Sequence, residues 1–296
     1  VWVVTSQPTG VEVHPDGSDV SAIELDRRKF RKRLTGRSVL ISLASTFVLA
    51  VVLWLAVVKT PGWALVQEAF FDPKIAWESL PSILAGLWLN IQILFYAAIG
   101  VAIFSTLIAV VRTLRGPIFF PLRFLAAAYT DLFRGIPLII VLYLVGFGVP
   151  GLGVFPRMPP EFWGTIALIL TYSAYVSEVL RAGMEAVHPS QRLAARSLGL
   201  SHAQTLRLVV LPQGVRKVTP ALVNDFVSME KDVGLVSILG AIDAVRAAGI
   251  AESTTANFTP YIVAGLLFVA ISWPLIRLTD WLSARQQRRE QIGGTV

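Results

Sequence analysis

From Ser79 to Val111 this chain runs for 33 residues without a charged side chain. A helix that is apolar around its whole circumference belongs in the centre of a large protein or in a bilayer, and about 20 such residues cross the hydrocarbon. A second charge-free run, Ser38 to Val58, has 21 residues. The composition favours the bilayer: 54% of residues are hydrophobic and 15% charged, against about 25% charged in a soluble domain. Backbone N–H and C=O groups in hydrocarbon must be satisfied within the protein, which runs of this length do as helices. The expected fold is all-α and integral to the membrane.

Further apolar runs predict spans over about 122–149, 162–181, 220–241 and 259–282, with the long run forming a helix over 83–111 behind an interfacial lead-in at Pro81. Residues 1–26 are polar and turn-rich, without apolar periodicity, and read as disordered or loosely ordered. A basic run from Arg27 to Arg37 then precedes the first span, which reads as an uncleaved anchor because its apolar core is too long for a signal peptide. All but six of the 26 lysines and arginines (Lys59, Lys74, Arg134, Arg157, Lys231 and Arg246) fall on the side shared by both termini. The positive-inside rule makes that side cytoplasmic. The net charge of +7 therefore reads as topology and contact with membrane lipid, not as nucleic-acid binding, since no separate basic domain exists. The expected divisions are a cytoplasmic segment 1–37, an anchor 38–58, an extracytoplasmic linker 59–81, a transmembrane domain 82–284 with a cytoplasmic hairpin 182–219, and a basic tail 285–296.

The hairpin is the most ordered polar stretch. Pro189 suits the first turn of a helix, where its missing N–H would be unpaired anyway, and Gly199 supplies the left-handed residue that ends one. Ser201 and Gln204 have the spacing of a capping box, so a second short helix is expected after the Gly199-Leu200 joint. Leu193, Ala194, Leu198, Leu206 and Val210 lie among Arg192, Arg196 and Arg207. This stretch is too polar and too broken to span a bilayer.

Its pattern resembles the EAA loop of permease subunits from bacterial ATP-binding-cassette importers: Glu-Ala-Ala, three residues, Gly, nine residues, then Ile-x-Leu-Pro. Here it reads Leu193-Ala194-Ala195, Gly199, then Val209-Val210-Leu211-Pro212. Leu193 stands where the family has a carboxylate. The flanking stretches Ala174–Gln191, Leu222–Gly240 and Asp131–Pro150 look like the polar amino-acid branch, similar to histidine, arginine and glutamine permeases. The resemblance implies a five-helix ABC importer permease core, with the anchor as one extra N-terminal transmembrane helix, in a bacterial cytoplasmic membrane. It also implies that Leu193, Ala194, Ala195, Arg196, Gly199, Leu200 and Pro212 couple the chain to an ATP-binding subunit present in two copies, which holds ATP and Mg. The remaining implied partners are a second permease subunit, identical or related, around a pathway at their interface, and an extracytoplasmic amino-acid-binding protein.

No catalytic residue, cofactor or metal is assigned to the chain itself. No Gly-Lys pair occurs, hence no P-loop, and His14, His188 and His202 are scattered. Charges within the spans are costly unless turned from lipid, so Arg134, Glu178, Lys231 and Asp232 are the candidates for a substrate pathway or for mutual pairing, Arg134 with Glu178 or Lys231 with Asp232 of a neighbouring subunit. Glu178 is also three residues before Arg181 and can pair with it on one helix face. Gly135 and Pro137 predict a kink, because Pro137 cannot donate to the carbonyl of Phe133. Asn90 and Gln92 read as interhelical hydrogen-bonding amides. The alternative to a permease subunit is a self-contained secondary amino-acid transporter or channel.

The chain has no cysteine, so single-cysteine labelling can test the topology directly. Cysteines at Ser201 and Gly153 should react with an impermeant maleimide from opposite faces of the membrane. Labelling of both from one face would overturn this topology.

Overall fold

A computed structural model of the chain describes residues 22–114 and 116–293, with side chains over 38–114 and 116–286. The loose segment expected over 1–26 lies outside the described residues as far as residue 21, and Arg115 of the 112–123 turn is outside them too. The chain divides into two compact units, Val1–Val66 and Gln67–Val296. In the first, helix α1 (Ala22–Val58) begins sixteen residues before the apolar run, so the basic stretch is helical and continuous with the anchor. Helix α2 (Trp63–Phe70) begins in the first unit and ends in the second.

The second unit contains α3 (Pro73–Thr113), α4 (Phe120–Gly135), α5 (Leu138–Tyr143), α6 (Val149–Gly151) and α7 (Pro160–Glu185). It continues with α8 (Pro189–Ser197), α9 (His202–Thr205), α10 (Leu211–Asp232), α11 (Ala244–Thr255) and α12 (Thr259–Gly293). Helix α7 is central: it packs against α3 on one side and α10 on another, while α11 and α12 close against α3 and α10. The core between α3, α7 and α10 is built from Ile93, Leu94, Ala97, Val101, Leu168, Tyr172, Met229 and Val233.

Four helices are long and apolar enough to cross a membrane, and two bent pairs bring the total to as many as six among the described residues. The bent pairs differ from the continuous spans expected. The 122–149 span is broken, with Pro117–Gly135 and Leu138–Gly151 inclined at 108°. The cause is Ile136-Pro137: proline disfavours helical backbone in the residue before it, and Ile136 is extended at φ −100°, ψ 130°. The expected kink is thus a break. The other pair, His202–Leu239 and Ala244–Thr255, is bent by 52°. Here α10 passes into a 3-10 helix (Val233–Leu239) that stops at Gly240.

Two other expectations, the lead-in at Pro81 and the end of the last span, are corrected. Helix α3 starts at Pro73, capped by the Asp72 side chain, and runs through Pro81 without a lead-in. The 59–81 stretch is therefore largely helical, and it is tied down: Phe258 N–H donates to the Ala69 carbonyl at 2.7 Å, and Phe70 stacks on Phe258 at 5.1 Å. The start of α11 is buried, Asp243 and Ala244 both being 0% exposed. Finally, α12 continues well past Leu282, through most of the expected tail.

The lock between α3 and α11 explains that burial. Asp243 caps α11 by accepting from Arg246 N–H at 2.8 Å. Asn90 donates its Nδ2 to Asp243 Oδ2 at 3.1 Å and accepts from Ala244 N–H at 3.0 Å. One amide thereby satisfies both the cap and a backbone group of a helix 153 residues away. Gln92, the other amide of α3, is exposed. Asn90→Leu should destabilise the purified protein by about 1–3 kcal/mol, because it strands a buried carboxylate and an N–H, while Gln92→Leu should not. Thermal unfolding midpoints of the two variants in one detergent check this, and equal midpoints would sink it.

Candidate functional site

The polar hairpin is held by local hydrogen bonds of the kinds its sequence predicts. His188 caps α8 with its Nδ1 accepting from Ser190 N–H at 3.2 Å, and Pro189 occupies the first turn. The helix ends in a Schellman motif: Gly199 takes φ +82°, its N–H donates to the Arg196 carbonyl at 3.0 Å, and Leu200 N–H reaches the Ala195 carbonyl at 3.2 Å. Ser201 and Gln204 form the capping box, with bonds of 2.8 and 3.2 Å. The second arm is not a separate short helix. It passes through a π turn (Leu206–Val210) directly into α10, and Leu211 N–H bonds back to the Leu206 carbonyl. That five-residue step absorbs Pro212, which has no N–H to offer the preceding turn. The arm and the following span are one body.

The hairpin is also bolted to the helix before it. Its inner face packs Ala109, Leu180, Met184, Val187 and Val210 together. Arg192 donates to the Met184 carbonyl at 2.7 Å and Lys217 to the Ala186 carbonyl at 2.6 Å. At the base, α7 and α10 touch backbone to backbone: a Cβ on Gly183 would sit 2.6 Å from the Gly214 carbonyl oxygen. The outer face is different. Ala195 is buried, but Leu193 is 67% and Leu198 82% exposed. Ala194, Arg196 and Gly199 are exposed with them, and Leu200 is half-buried.

The charged residues within the helices divide into two groups. Glu178 on α7 bonds Arg112 at the end of α3 and, at 2.9 Å, Arg181; Arg181 also meets Glu185 at 2.5 Å. The expected partnership of Glu178 with Arg134 is not formed. Arg134 ends α4 at the 108° break, which places it over the Tyr175 ring, 6.0 Å from the centroid. Lys231 is exposed, whereas Asp232 accepts from Tyr172 Oη at 2.7 Å.

Tyr172 leads to the second feature, a mostly apolar cavity of about 280 Å3 between α3, α7 and α10, into whose lining of residues such as Leu180, Phe226 and Met229 the polar Ser105, Thr106, Tyr172 and Asp225 are set. Ser105 Oγ and Asp225 Oδ2 are buried there without a partner among the described residues. Asp225 was legible only as an interruption of an apolar span. Its spacing of seven from Asp232 is two helical turns and sets both on one side of α10, a signal the sequence did contain. Ser105 carried none.

A helical membrane unit with a broken helix, a cavity that holds two unpaired oxygens and a fixed hairpin with exposed leucines has the features of a membrane transport component. The chain belongs to the family of binding-protein-dependent transport system inner membrane components, whose model matches residues 116–289. It is 34% identical over 194 residues to the arginine transport system permease protein ArtQ of Bacillus subtilis (strain 168), covering 65% of this chain and 86% of that one. It is 32% identical over 222 residues to the glutamate/aspartate import permease protein GltK of Escherichia coli O6:H1, covering 73% and 98%. Among solved structures, an amino acid ABC transporter with histidines superposes with a TM-score of 0.61 at 34% identity, covering 70% of this chain and 94% of that one. The chain is the membrane-spanning permease subunit of an ATP-binding-cassette importer.

Glu178 is the only carboxylate between two guanidinium groups in this cluster. Glu178→Gln should cost about 2–3 kcal/mol, since it leaves Arg112 and Arg181 facing each other in a partly buried site, and Arg134→Ala should cost about 0.5 kcal/mol or less. Thermal midpoints check both; equal losses would mean that Glu178 is not the pivot of this cluster.

Proposed function

We propose that this subunit carries a polar or charged amino acid across the bacterial cytoplasmic membrane, driven by ATP hydrolysis in an ATP-binding subunit docked on hairpin 182–219. Both termini are cytoplasmic in this reading, and residues 38–58 anchor a transmembrane domain spanning 82–284. Two permease subunits, identical or related, pair in the membrane. Each rests on one ATP-binding subunit, which holds ATP and Mg. An extracytoplasmic binding protein delivers the amino acid. The relatives named for arginine and for glutamate and aspartate support the substrate class. Family membership sets aside a self-contained secondary transporter.

The observation that carries the reading is mechanical. The hairpin is continuous with α10 and bolted to α7, and those two helices supply the polar Asp225 and Tyr172 to the cavity. A push on Leu193 and Leu198 therefore moves two of the cavity's three walls together, which is how a rigid lever converts closure of a partner into alternating access. In the cavity the free oxygen of Asp225 can accept from the ammonium of an amino acid, and the Ser105 hydroxyl can donate to its carboxylate. Asp232 acts through Tyr172, while Arg134 and Lys231 lie outside this cavity and serve the pathway only from its rim.

Reconstitution of the chain with its ATP-binding subunit and binding protein in proteoliposomes tests this. Uptake of labelled amino acid should require internal ATP, and Asp225→Asn should lower it by about tenfold with the ATP-binding subunit still bound, a loss of one ion–dipole contact in a buried site. ATP-independent uptake would sink the coupling; unchanged uptake in Asp225→Asn would remove the cavity from the pathway.

A further inference from the structure

Between Glu185 and Asp225 the chain has no carboxylate, yet it carries Arg192, Arg196, Arg207, Arg216 and Lys217. Among the described residues none of these five has an ion-pair partner. Elsewhere on the same side Arg112 and Arg181 share Glu178 and Arg277 meets Asp280 at 3.3 Å, while Arg123 donates to the Leu114 and Gly116 carbonyls and Arg285 lies over the Trp281 ring. The positive-inside rule accounts for cations at a cytoplasmic loop, but it places no ban on carboxylates, which contribute little to orientation. The missing anions need another cause.

The exposed leucines narrow it. Leu193 and Leu198 are five positions apart, about 140° around a helix, so they project from different sides of α8 and its last turn. A flat lipid surface would bury one and leave the other in water. A groove that encloses the tip buries both. Arg196 follows Leu193 on its own side at a spacing of three, and Arg207 stands exposed on the second arm. We infer that the hairpin docks into an apolar groove on the ATP-binding subunit whose rim carries carboxylates, supplying there the anions that the hairpin lacks. Leu193, in the position where a carboxylate would meet a basic rim, belongs to the same complementarity: an acidic rim would repel a glutamate there. The inference rests on the docking role proposed above and adds the chemistry of the partner's surface.

The test uses the full chain in nanodiscs and the ATP-binding subunit that co-purifies with it, with the dissociation constant measured at two salt concentrations. The pair Arg196→Glu and Arg207→Glu should weaken association by about tenfold or more, and salt should weaken the wild type but not this variant. Leu193→Glu should weaken association as well. Reversing rim carboxylates of the ATP-binding subunit to lysine should restore binding to the double glutamate variant. Arg196 and Arg207 are exposed and unpaired, so thermal midpoints should stay unchanged; the neutral pair Arg196→Gln and Arg207→Gln should fall between wild type and reversal. Unchanged affinity in the reversal, or tighter binding by Leu193→Glu, overturns the acidic rim. An effect seen only in nanodiscs with phosphatidylglycerol, and absent in phosphatidylcholine alone, also overturns it and assigns the cations to lipid headgroups. Deleting 194–199 separates the two levels. Binding that survives the deletion ends the docking role itself, whereas binding lost on deletion but indifferent to charge reversal leaves the docking role and removes the acidic rim.

Discussion

A backbone N–H or C=O without a partner is expensive in hydrocarbon, several kcal/mol for each group. Three departures from straight helix among the described residues are placed where that cost is met from within. At the α4–α5 break, Ile136 N–H still reaches the Leu132 carbonyl, and Ile140 N–H picks up that of Pro137. At the start of α11, Asp243 caps one free N–H and Asn90 takes another. Where α10 unwinds, a 3-10 helix keeps bonds of shorter period and packs Val233, Val236 and Leu239 into the core. These three places lie against α3 or α7: α5 and the 3-10 helix pack on α7, and α11 packs on α3.

That arrangement gives the hairpin its mechanical character. An ordinary connection between two spans would be free to move without disturbing them. Here the π turn at Leu206–Val210 keeps the second arm in line with α10, and the contact of Gly183 with Gly214 leaves no room for the arms to slide. The Arg112–Glu178–Arg181 cluster joins α3 to the same assembly. The tip is thus tied to three helices that line one cavity. The polar atoms left unpaired in that cavity, Ser105 Oγ and Asp225 Oδ2, lie on two of them. Unsatisfied buried oxygens are uncommon in stable proteins, and these two face one cavity between α3 and α10.

Elements defined within a few residues were legible in advance. The caps of the hairpin, from Pro189 through Gly199 to Ser201 and Gln204, depend on spacings of one turn and hold as read. So does the apolar character of the anchor and of α3, α7 and α12, because hydrocarbon selects composition without regard to neighbours. Boundaries were less legible. Pro81 read as an interfacial lead-in, but a plain helix runs through it, and at Pro212, the end of the hairpin pattern, a π turn accommodates the missing N–H without ending the helical path. Proline at 137 broke its helix because the residue before it could turn extended, a choice that depends on what receives α5 on the other side.

The sequence by itself determined that this protein is helical, lies in a membrane, and presents an ordered hairpin without a carboxylate after Glu185; each of these follows from composition or from bonds closed over three to five residues. The tertiary structure decided the partners. Arg112 and Glu178 are 66 residues apart and meet because α3 and α7 cross at their ends. Asn90 and Asp243 are 153 apart and meet because α11 folds back against α3. Pairings of that kind are set by how helices pack, and the side chains that make them look, along the sequence, like any other polar residue in an apolar run.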